Sequence, residues 1–180
     1  GDHSQTGILG VVPVTDSNDR RILRHESVRP GRADLLTRHL LEVGMSSSPI
    51  SLTYRTDEGL NSVIASCTAG RPILESTSEG VDQTVWAVAG EDADALINAM
   101  GDRTLYVTDG HHRLAAAEEA RNRVAPTHPD HPLQWTEAVL FPDAEMLVLP
   151  FHRRVGDRAG RSSEAIIEAL SECGPLQPRA

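Results

Sequence analysis

The segment that decides the fold occupies residues 104–117 and reads TLYVTDGHHRLAAA. Its apolar start predicts a short strand, its alanine-rich end predicts a helix, and Gly110 permits a sharp turn between them. A helix begins with backbone N–H groups that have no intrahelical partner, and its dipole puts partial positive charge there. The turn is therefore predicted to attract an anion.

The side chains of this turn strengthen the prediction of a ligand site. Asp109, His111, His112 and Arg113 all fall within five residues. Acidic residues are preferred in the first turn of a helix, so an arginine there is unusual, and a bound anion would explain it. The alternative is that Asp109 only caps the helix and that both histidines are solvated, since Asp-Gly turns are common.

Charge and composition narrow the kinds of ligand. The chain has 180 residues and a formal net charge of −9, which counts against nucleic-acid binding through a basic surface. All 17 basic residues are arginines, so a P-loop lysine and a Schiff-base lysine are excluded. Any phosphate must then be held by arginine, histidine, backbone amides and a metal ion.

Length and apolar content predict a single domain over residues 1–180. Aromatic residues make up only 3%, so small aliphatic side chains are expected to fill the interior. Cys67 and Cys173 are predicted to be buried free thiols. No apolar run approaches the roughly 18 residues of a membrane span, and no signal peptide is visible. We therefore expect a cytoplasmic protein with no membrane contact.

Hydrophobic periodicity predicts helices and strands in alternation with some hairpins, which favours an α+β fold over a doubly wound sheet. The predicted strands lie at residues 7–12, 21–24, 50–54, 84–88, 104–108, 135–141 and 146–149. The predicted helices lie at about 32–43, 60–67, 93–100 and 163–173, besides the helix that follows Gly110 and runs to 124.

Two hairpins are predicted within this pattern. The first pairs residues 7–12 with 21–24, and the second pairs 135–141 with 146–149 and continues into 151–155. Pro30 and Gly31 are expected to keep their stretch out of regular helix.

Two short motifs together point to a family. His25-Glu26 lies on the loop before one helix, where a glutamate is often merely solvated, and residues 109–113, DGHHR, open another. The order of HE, helix, a strand starting at Pro49, then DGHHR resembles the SerK-like free serine kinases. These belong to the broad ParB/sulfiredoxin-like superfamily. The chain is most similar to their bacterial relatives, the domain-of-unknown-function family 1015.

Further stretches extend this resemblance over about residues 7–170. Residues 137–142, EAVLFP, and 149–151, LPF, are similar to the bacterial family. The resemblance implies a ParB/sulfiredoxin-like mixed sheet with surrounding helices and the strand–DGHHR–helix unit at its centre. Family members usually carry more chain on both sides, so this chain is either a fragment or a reduced member.

The resemblance also implies where a nucleotide binds. Its phosphates would lie over the turn at Gly110, cradled by the backbone amides of His111, His112 and Arg113. Arg113, both histidines and Mg²⁺ would supply much of the remaining binding energy. Arg32 is a second candidate for a phosphate contact, with a solvated surface arginine as the alternative. Mg²⁺ is the implied cofactor, and ADP or ATP is the implied phosphoryl donor, with CTP as a further candidate.

The catalytic roles follow from the same resemblance. Glu26 would be the general base that takes the proton of the acceptor hydroxyl. His25 would orient Glu26 or touch phosphate. Asp109 would bind Mg²⁺ or only cap the helix. The stretch between Glu26 and Asp109 is longer than in the archaeal serine kinases, so elements at about residues 58–100 would reshape the substrate pocket.

Three hypotheses about function result. The first is a kinase that phosphorylates a small hydroxyl compound, with free L-serine as the first candidate. The second is a regulatory switch that binds CTP or ATP without making a product. The third is a degenerate domain that binds nothing. The sequence leaves the nucleotide, the acceptor and the oligomeric state open.

Overall fold

The computed structural model describes residues 3–14, 20–124, 127–149 and 159–174, and shows a mixed α+β fold. The strands are β1 (Ile8–Pro13), β2 (Ile22–Leu23), β3 (Ile50–Tyr54), β4 (Leu74–Ser78), β5 (Val81–Val85), β6 (Leu105–Asp109) and β7 (Trp135–Pro142). The described residues contain five α-helices: α1 (Pro30–Val43), α2 (Glu58–Thr68), α3 (Glu91–Met100), α4 (His111–Val124) and α5 (Ser163–Ser171).

Five of the strands form one mixed sheet in the order β1-β7-β3-β6-β2. β7 runs antiparallel to β1 and parallel to β3, whereas β6 runs antiparallel to β3 and parallel to β2. The middle strand is therefore β3, and the strand that leads into DGHHR lies beside it. β4 and β5 form a separate antiparallel hairpin.

The core is filled mainly by aliphatic side chains, as the scarcity of aromatic residues predicted. Leu52 and Tyr54 of β3 and Leu60 of α2 are completely buried. Alternate residues of β3 are buried because successive side chains of a strand point to opposite faces. β3 therefore contributes much of the buried cluster.

Helix α4 packs against α1 through a surface of small side chains. Ala116 and Ala120 of α4 are buried, and small residues let two helices approach closely. Thr37 of α1 is buried at this contact, and its hydroxyl donates to the carbonyl oxygens of Ala33 at 2.9 Å and Ala116 at 3.5 Å. This packing fixes the chain before α1 relative to the start of α4.

The predicted pairing of residues 7–12 with 21–24 is wrong. β1 pairs with β7, and the two residues of β2 pair in parallel with β6 instead. Leu105 N–H donates to the carbonyl oxygen of Arg21 at 2.7 Å, which extends the β2–β6 contact. The segment between the two strands is much longer than the two-residue turns that fix a hairpin.

The start of α1 also differs from the prediction. Pro30 is the first residue of the helix and Gly31 the second. Proline is well tolerated in the first turn because its missing N–H has no intrahelical partner there. The predicted end is confirmed: Gly44 has a φ of 74° and donates its N–H to Leu40.

The predicted second hairpin is also wrong. After β7, residues Asp143–Glu145 form one turn of 3-10 helix, and residues 146–149 form no strand. The side chain of Asp143 accepts hydrogen bonds from the Thr56 N–H at 2.9 Å and the Thr56 hydroxyl at 2.7 Å, which ties this turn to the end of β3. The predicted extension over 151–155 lies outside the described residues.

Contacts divide the chain into two units, Gly1–Met146 and Leu147–Ala180. The first contains the sheet and the first four helices, and the second contains α5. The expected burial of both cysteines is wrong, since Cys67 is half-buried and Cys173 is exposed. Among the described residues, we find no helix with the length and apolar character needed to cross a membrane.

Candidate functional site

The HE and DGHHR motifs lie together because α1 packs on α4. The backbone N–H of Arg29, just before α1, donates to His112 Nε2 at 3.1 Å. The Arg24 guanidinium also forms an ion pair of 2.6 Å with Glu118 of α4, and both side chains are largely buried. The loop before α1 is therefore held along the first turns of α4.

The turn between β6 and α4 depends on Gly110. Its φ is +95°, a conformation that side chains with a Cβ rarely adopt. The carbonyl oxygen of Gly110 accepts the Leu114 N–H at 2.9 Å, which makes it the residue from which α4 starts. The residues directly after Gly110 therefore carry the first N–H groups of α4, which have no partner within the helix.

Glu26 lies beside the first residue of α4. One carboxylate oxygen of Glu26 is 3.7 Å from His111 Nδ1, and the other is 3.8 Å from His25 Nε2. The rings of His25 and His111 meet edge to face with their centroids 4.5 Å apart. The side chain of Glu26 is 62% exposed, whereas that of His111 is only 4% exposed.

Burial and hydrogen bonding of His111 favour its neutral imidazole. Its Nε2 accepts the backbone N–H of His25 at 3.4 Å, so in the neutral ring the proton lies on Nδ1, on the side of Glu26. Burial, followed by the nearby charge of His25, lowers the pKa of His111 below its usual value, although Glu26 opposes the shift. Nδ1–H therefore lies on the side of the Glu26 carboxylate, at 3.7 Å, which is longer than a hydrogen bond.

Arg113 has partners within the chain. Its guanidinium pairs with Asp109 at 2.6 Å and also donates to the Ser48 hydroxyl and the Pro49 carbonyl oxygen. These contacts tie the start of α4 to the segment before β3. The unusual arginine in the first turn is therefore explained in part by bracing the turn, without a bound anion.

A cavity of about 420 Å³ opens over this turn. Its lining includes Glu26, Arg32 and all of residues 109–113. Its volume falls within the range of roughly 300–1,000 Å³ typical of small-molecule sites. Of the predicted site residues, only His25 is outside the lining, and it contacts Glu26 and His111 from the side.

Sequence reasoning missed part of the cavity wall. Leu36 of α1, with Ser47 and Ser48, also lines the cavity. The run of three serines at residues 46–48 before a strand was a visible signal for polar groups near a site. Leu36 had no such signal, because it reads as an ordinary residue of an apolar helix face.

This arrangement combines two chemical capabilities. The start of α4 and the Arg32 guanidinium offer positive charge to an anion in the cavity. The exposed carboxylate of Glu26 offers a proton acceptor at the same cavity. An anionic ligand and a hydroxyl group could therefore meet there.

Comparison with known proteins identifies the family. The model of the family described as protein of unknown function, DUF1015, matches residues 1–178, and the chain belongs to that family. No curated protein and no solved structure matches the chain.

Proposed function

We propose that this DUF1015 protein is a phosphotransferase that moves a phosphoryl group from ADP or ATP to the hydroxyl of a small compound, with free L-serine as the first candidate. The observation that carries the proposal is the position of Glu26. Its carboxylate lies 3.7 Å from His111, the first residue of α4, and both residues line one cavity. Phosphoryl transfer is mostly positioning and charge neutralisation, which suits a helix N-terminus facing a single carboxylate.

The phosphates would bind at the first turn of α4. A helix N-terminus contributes only about 0.3–1 kcal/mol, and up to about 2 kcal/mol when partly buried. A micromolar site needs about −8 kcal/mol. Since Arg113 is already paired with Asp109, Arg32 is the guanidinium that we assign to the phosphates. Backbone amides of residues 111–113 and a magnesium ion would supply most of the rest.

Glu26 would act as the general base. The acceptor oxygen attacks the terminal phosphorus, the bond to the departing nucleotide breaks, and the hydroxyl proton passes to the Glu26 carboxylate. His111 Nδ1 lies 3.7 Å from that carboxylate and would orient it when the two draw together, and His25 Nε2 lies 3.8 Å from its other oxygen. The role of His25 in this proposal is positional.

The donor set at the turn is compatible with Mg²⁺. This ion binds through one or two carboxylates together with phosphate oxygens, and it would neutralise phosphate charge when bound. The Asp109 carboxylate is 78% exposed and lines the cavity. Only its Oδ2 is in the ion pair with Arg113, so Oδ1 is the atom that we assign to the ion.

We further propose that the sheet and its helices form a ParB/sulfiredoxin-like fold. The support is the strand–glycine–helix unit formed by β6, Gly110 and α4, with the HE motif beside it. The net charge of −9 counts against a long nucleic acid as a ligand of this fold here.

Product formation tests the proposal directly. The protein is incubated with Mg²⁺, a pool of amino acids, and ADP, ATP or CTP in turn, and phosphorylated products are read by mass spectrometry. We expect a phosphorylated hydroxyl amino acid with ADP or ATP. Glu26→Gln should lower the rate by about 10²–10⁴-fold, the usual contribution of a general base, while nucleotide binding persists.

Glu42→Gln is the matched control, because Glu42 is an exposed carboxylate on α1 and is not part of the cavity lining. It should leave the rate unchanged. Equal rates for Glu26→Gln and the wild type would refute the role of the base. Nucleotide binding without any product would refute the kinase.

The second candidate is a switch that binds CTP or ATP without making a product. It is favoured by the bond from Arg29 N–H to His112 Nε2, which links the loop before α1 to the turn where a nucleotide would bind. A ligand at that turn would compete for His112 and shift α1. A change in oligomeric state with CTP, in the absence of product, would support this function over the kinase.

A further inference from the structure

We propose that His25, Glu26 and His111 bind one divalent transition-metal ion of the zinc type. One donor atom from each side chain can be chosen so that all three lie within 4.8 Å of one another. Glu26 Oε2 lies 3.7 Å from His111 Nδ1, and Glu26 Oε1 lies 3.8 Å from His25 Nε2. This site differs from the magnesium position assigned to Asp109, and its occupancy does not depend on phosphoryl transfer.

The donor chemistry selects the kind of ion. Two imidazole nitrogens and one carboxylate form a ligand set that is found in catalytic zinc sites and suits other borderline transition metals. Magnesium and calcium prefer oxygen ligands only. The cluster should therefore take Zn²⁺ or Co²⁺ and discriminate against Mg²⁺.

The donor atoms must move closer together to surround an ion, and two of the three side chains are free to do so. With bonds of about 2.0–2.1 Å, a tetrahedral zinc ion brings its ligand atoms to about 3.3–3.4 Å from one another. The two Glu26 contacts, one through each carboxylate oxygen, are a few tenths of an ångström longer than that, and three donor atoms with one from each residue lie within 4.8 Å of one another. His25 and Glu26 are each 62% exposed, so their side chains can turn without displacing packed atoms, while buried His111 provides the fixed ligand.

The protonation of His111 is compatible with coordination. The neutral imidazole is the form of histidine that binds metals. Coordination through Nδ1 transfers its proton to Nε2, so the neutral ring keeps one proton throughout. The hydrogen bond lost is the one from His25 N–H to Nε2, which at 3.4 Å is long and therefore weak.

The ion would face the cavity. Three protein ligands leave one position of a tetrahedral ion open, as in catalytic zinc sites. Glu26 and His111 both line the cavity, so the fourth position is available to water or to an oxygen of a small ligand. A bound ion would also occupy the carboxylate that the phosphotransferase proposal uses as a base, so Zn²⁺ should inhibit phosphoryl transfer if that proposal holds.

Metal binding is measured on the whole chain without nucleotide. Calorimetric titration with Zn²⁺ should show one ion per chain at this site, and Co²⁺ should give the intense visible absorption of a four-coordinate ion. The same titration with Mg²⁺ should give no comparable signal. His25→Gln removes one of three ligands and should weaken Zn²⁺ and Co²⁺ binding by at least about 100-fold, more than the loss of an outer-sphere partner.

His39→Gln is the matched control, because His39 is an exposed histidine of α1 outside the cluster. It should bind Zn²⁺ as the wild type does. Both His25 and Glu26 are exposed, so Glu26→Gln is a second ligand variant that should fold, and it should also lose the Co²⁺ spectrum.

Two outcomes would overturn the site. The first is a wild-type chain that takes up no Zn²⁺ or Co²⁺. The second is a His25→Gln chain that binds Zn²⁺ with wild-type affinity. That result would put the ion elsewhere, for instance between His128 and His131, whose rings lie near each other. Metal binding is measured without nucleotide, so a failure to detect a phosphorylated product does not bear on the metal site. A failure to bind metal, in turn, does not bear on the phosphotransferase proposal.

Discussion

Replacing Gly110 by alanine tests the turn on which the site depends. Gly110 has a φ of +95°, and a Cβ there would lie 3.0 Å from Ile50 Cγ2 and 3.2 Å from Arg113 Nε. Ile50 is buried on β3, so it has little room to withdraw. The arginine is held by Asp109, and it too resists movement.

The expected loss of stability in Gly110→Ala is the sum of three contributions. A left-handed backbone costs a residue with a Cβ roughly 1–2 kcal/mol. Overpacking against Ile50 adds about 1–3 kcal/mol. Alanine returns about 0.4–1 kcal/mol by restricting the unfolded chain. We therefore expect the free energy of unfolding to fall by about 1–5 kcal/mol.

Urea denaturation followed by circular dichroism measures this change. With a slope of about 2 kcal/mol per molar urea, the middle of the usual range, the midpoint should drop by about 0.5–2.5 M. Gly31→Ala is the control, because Gly31 lies in helix α1 and a Cβ there would meet nothing within 4 Å. The Gly31→Ala substitution should leave the free energy of unfolding unchanged or raise it by up to about 1 kcal/mol. A Gly110→Ala chain with the wild-type midpoint would refute the account of this turn.

The remaining predictions concern the core and the turn after β7. Leu52→Ala removes a fully buried side chain of the middle strand and should lower the free energy of unfolding, measured by urea denaturation, by about 2–5 kcal/mol. Leu35→Ala, at an exposed position of α1, should lower it by less than about 0.5 kcal/mol. Equal losses would contradict the assigned core. The side-chain hydroxyl and backbone N–H of Thr56, followed by Arg55, lower the pKa of Asp143 from 3.8 to about 2. Because the pKa is lower in the folded chain, the Asp143 carboxylate stabilises the fold above about pH 4 and loses that effect as the pH falls toward 2. The difference in urea midpoint between the wild type and Asp143→Asn should therefore shrink between pH 5 and pH 2, and a constant difference would show that ionisation is not involved.

Local patterns in the sequence were enough to predict most elements. Apolar spacing predicted β3 and α3 within a few residues, and glycine predicted the end of α1. Strand pairing could not be predicted in the same way. The two residues of β2 pair with β6, which is about eighty positions away along the chain, and no local pattern encodes such a contact.

The candidate site likewise combines features that local sequence patterns predict with a contact that they do not. The types of its residues and the turn at Gly110 were visible in the sequence, because a strand, a glycine and an alanine-rich helix are local features. The proximity of Glu26 to that turn was expected only from a family resemblance. In the structure it results from the packing of α1 on α4 through small side chains such as Ala116, and from the bond that Arg29 N–H donates to His112.

Arg113 shows why residue type alone misleads about charge. An arginine at the start of a helix suggested a bound anion, yet its guanidinium pairs with Asp109 and bonds to the segment before β3. The charge of the pair is close to neutral, so it adds little attraction for phosphate. What remains for an anion is the start of α4 and Arg32. The exposed carboxylates of Glu26 and Asp109 line the same cavity, and Glu26 also lies in the cluster with His25 and His111. The two proposals therefore make opposite demands on Glu26: as a base its carboxylate must be free, and as a metal ligand it is occupied.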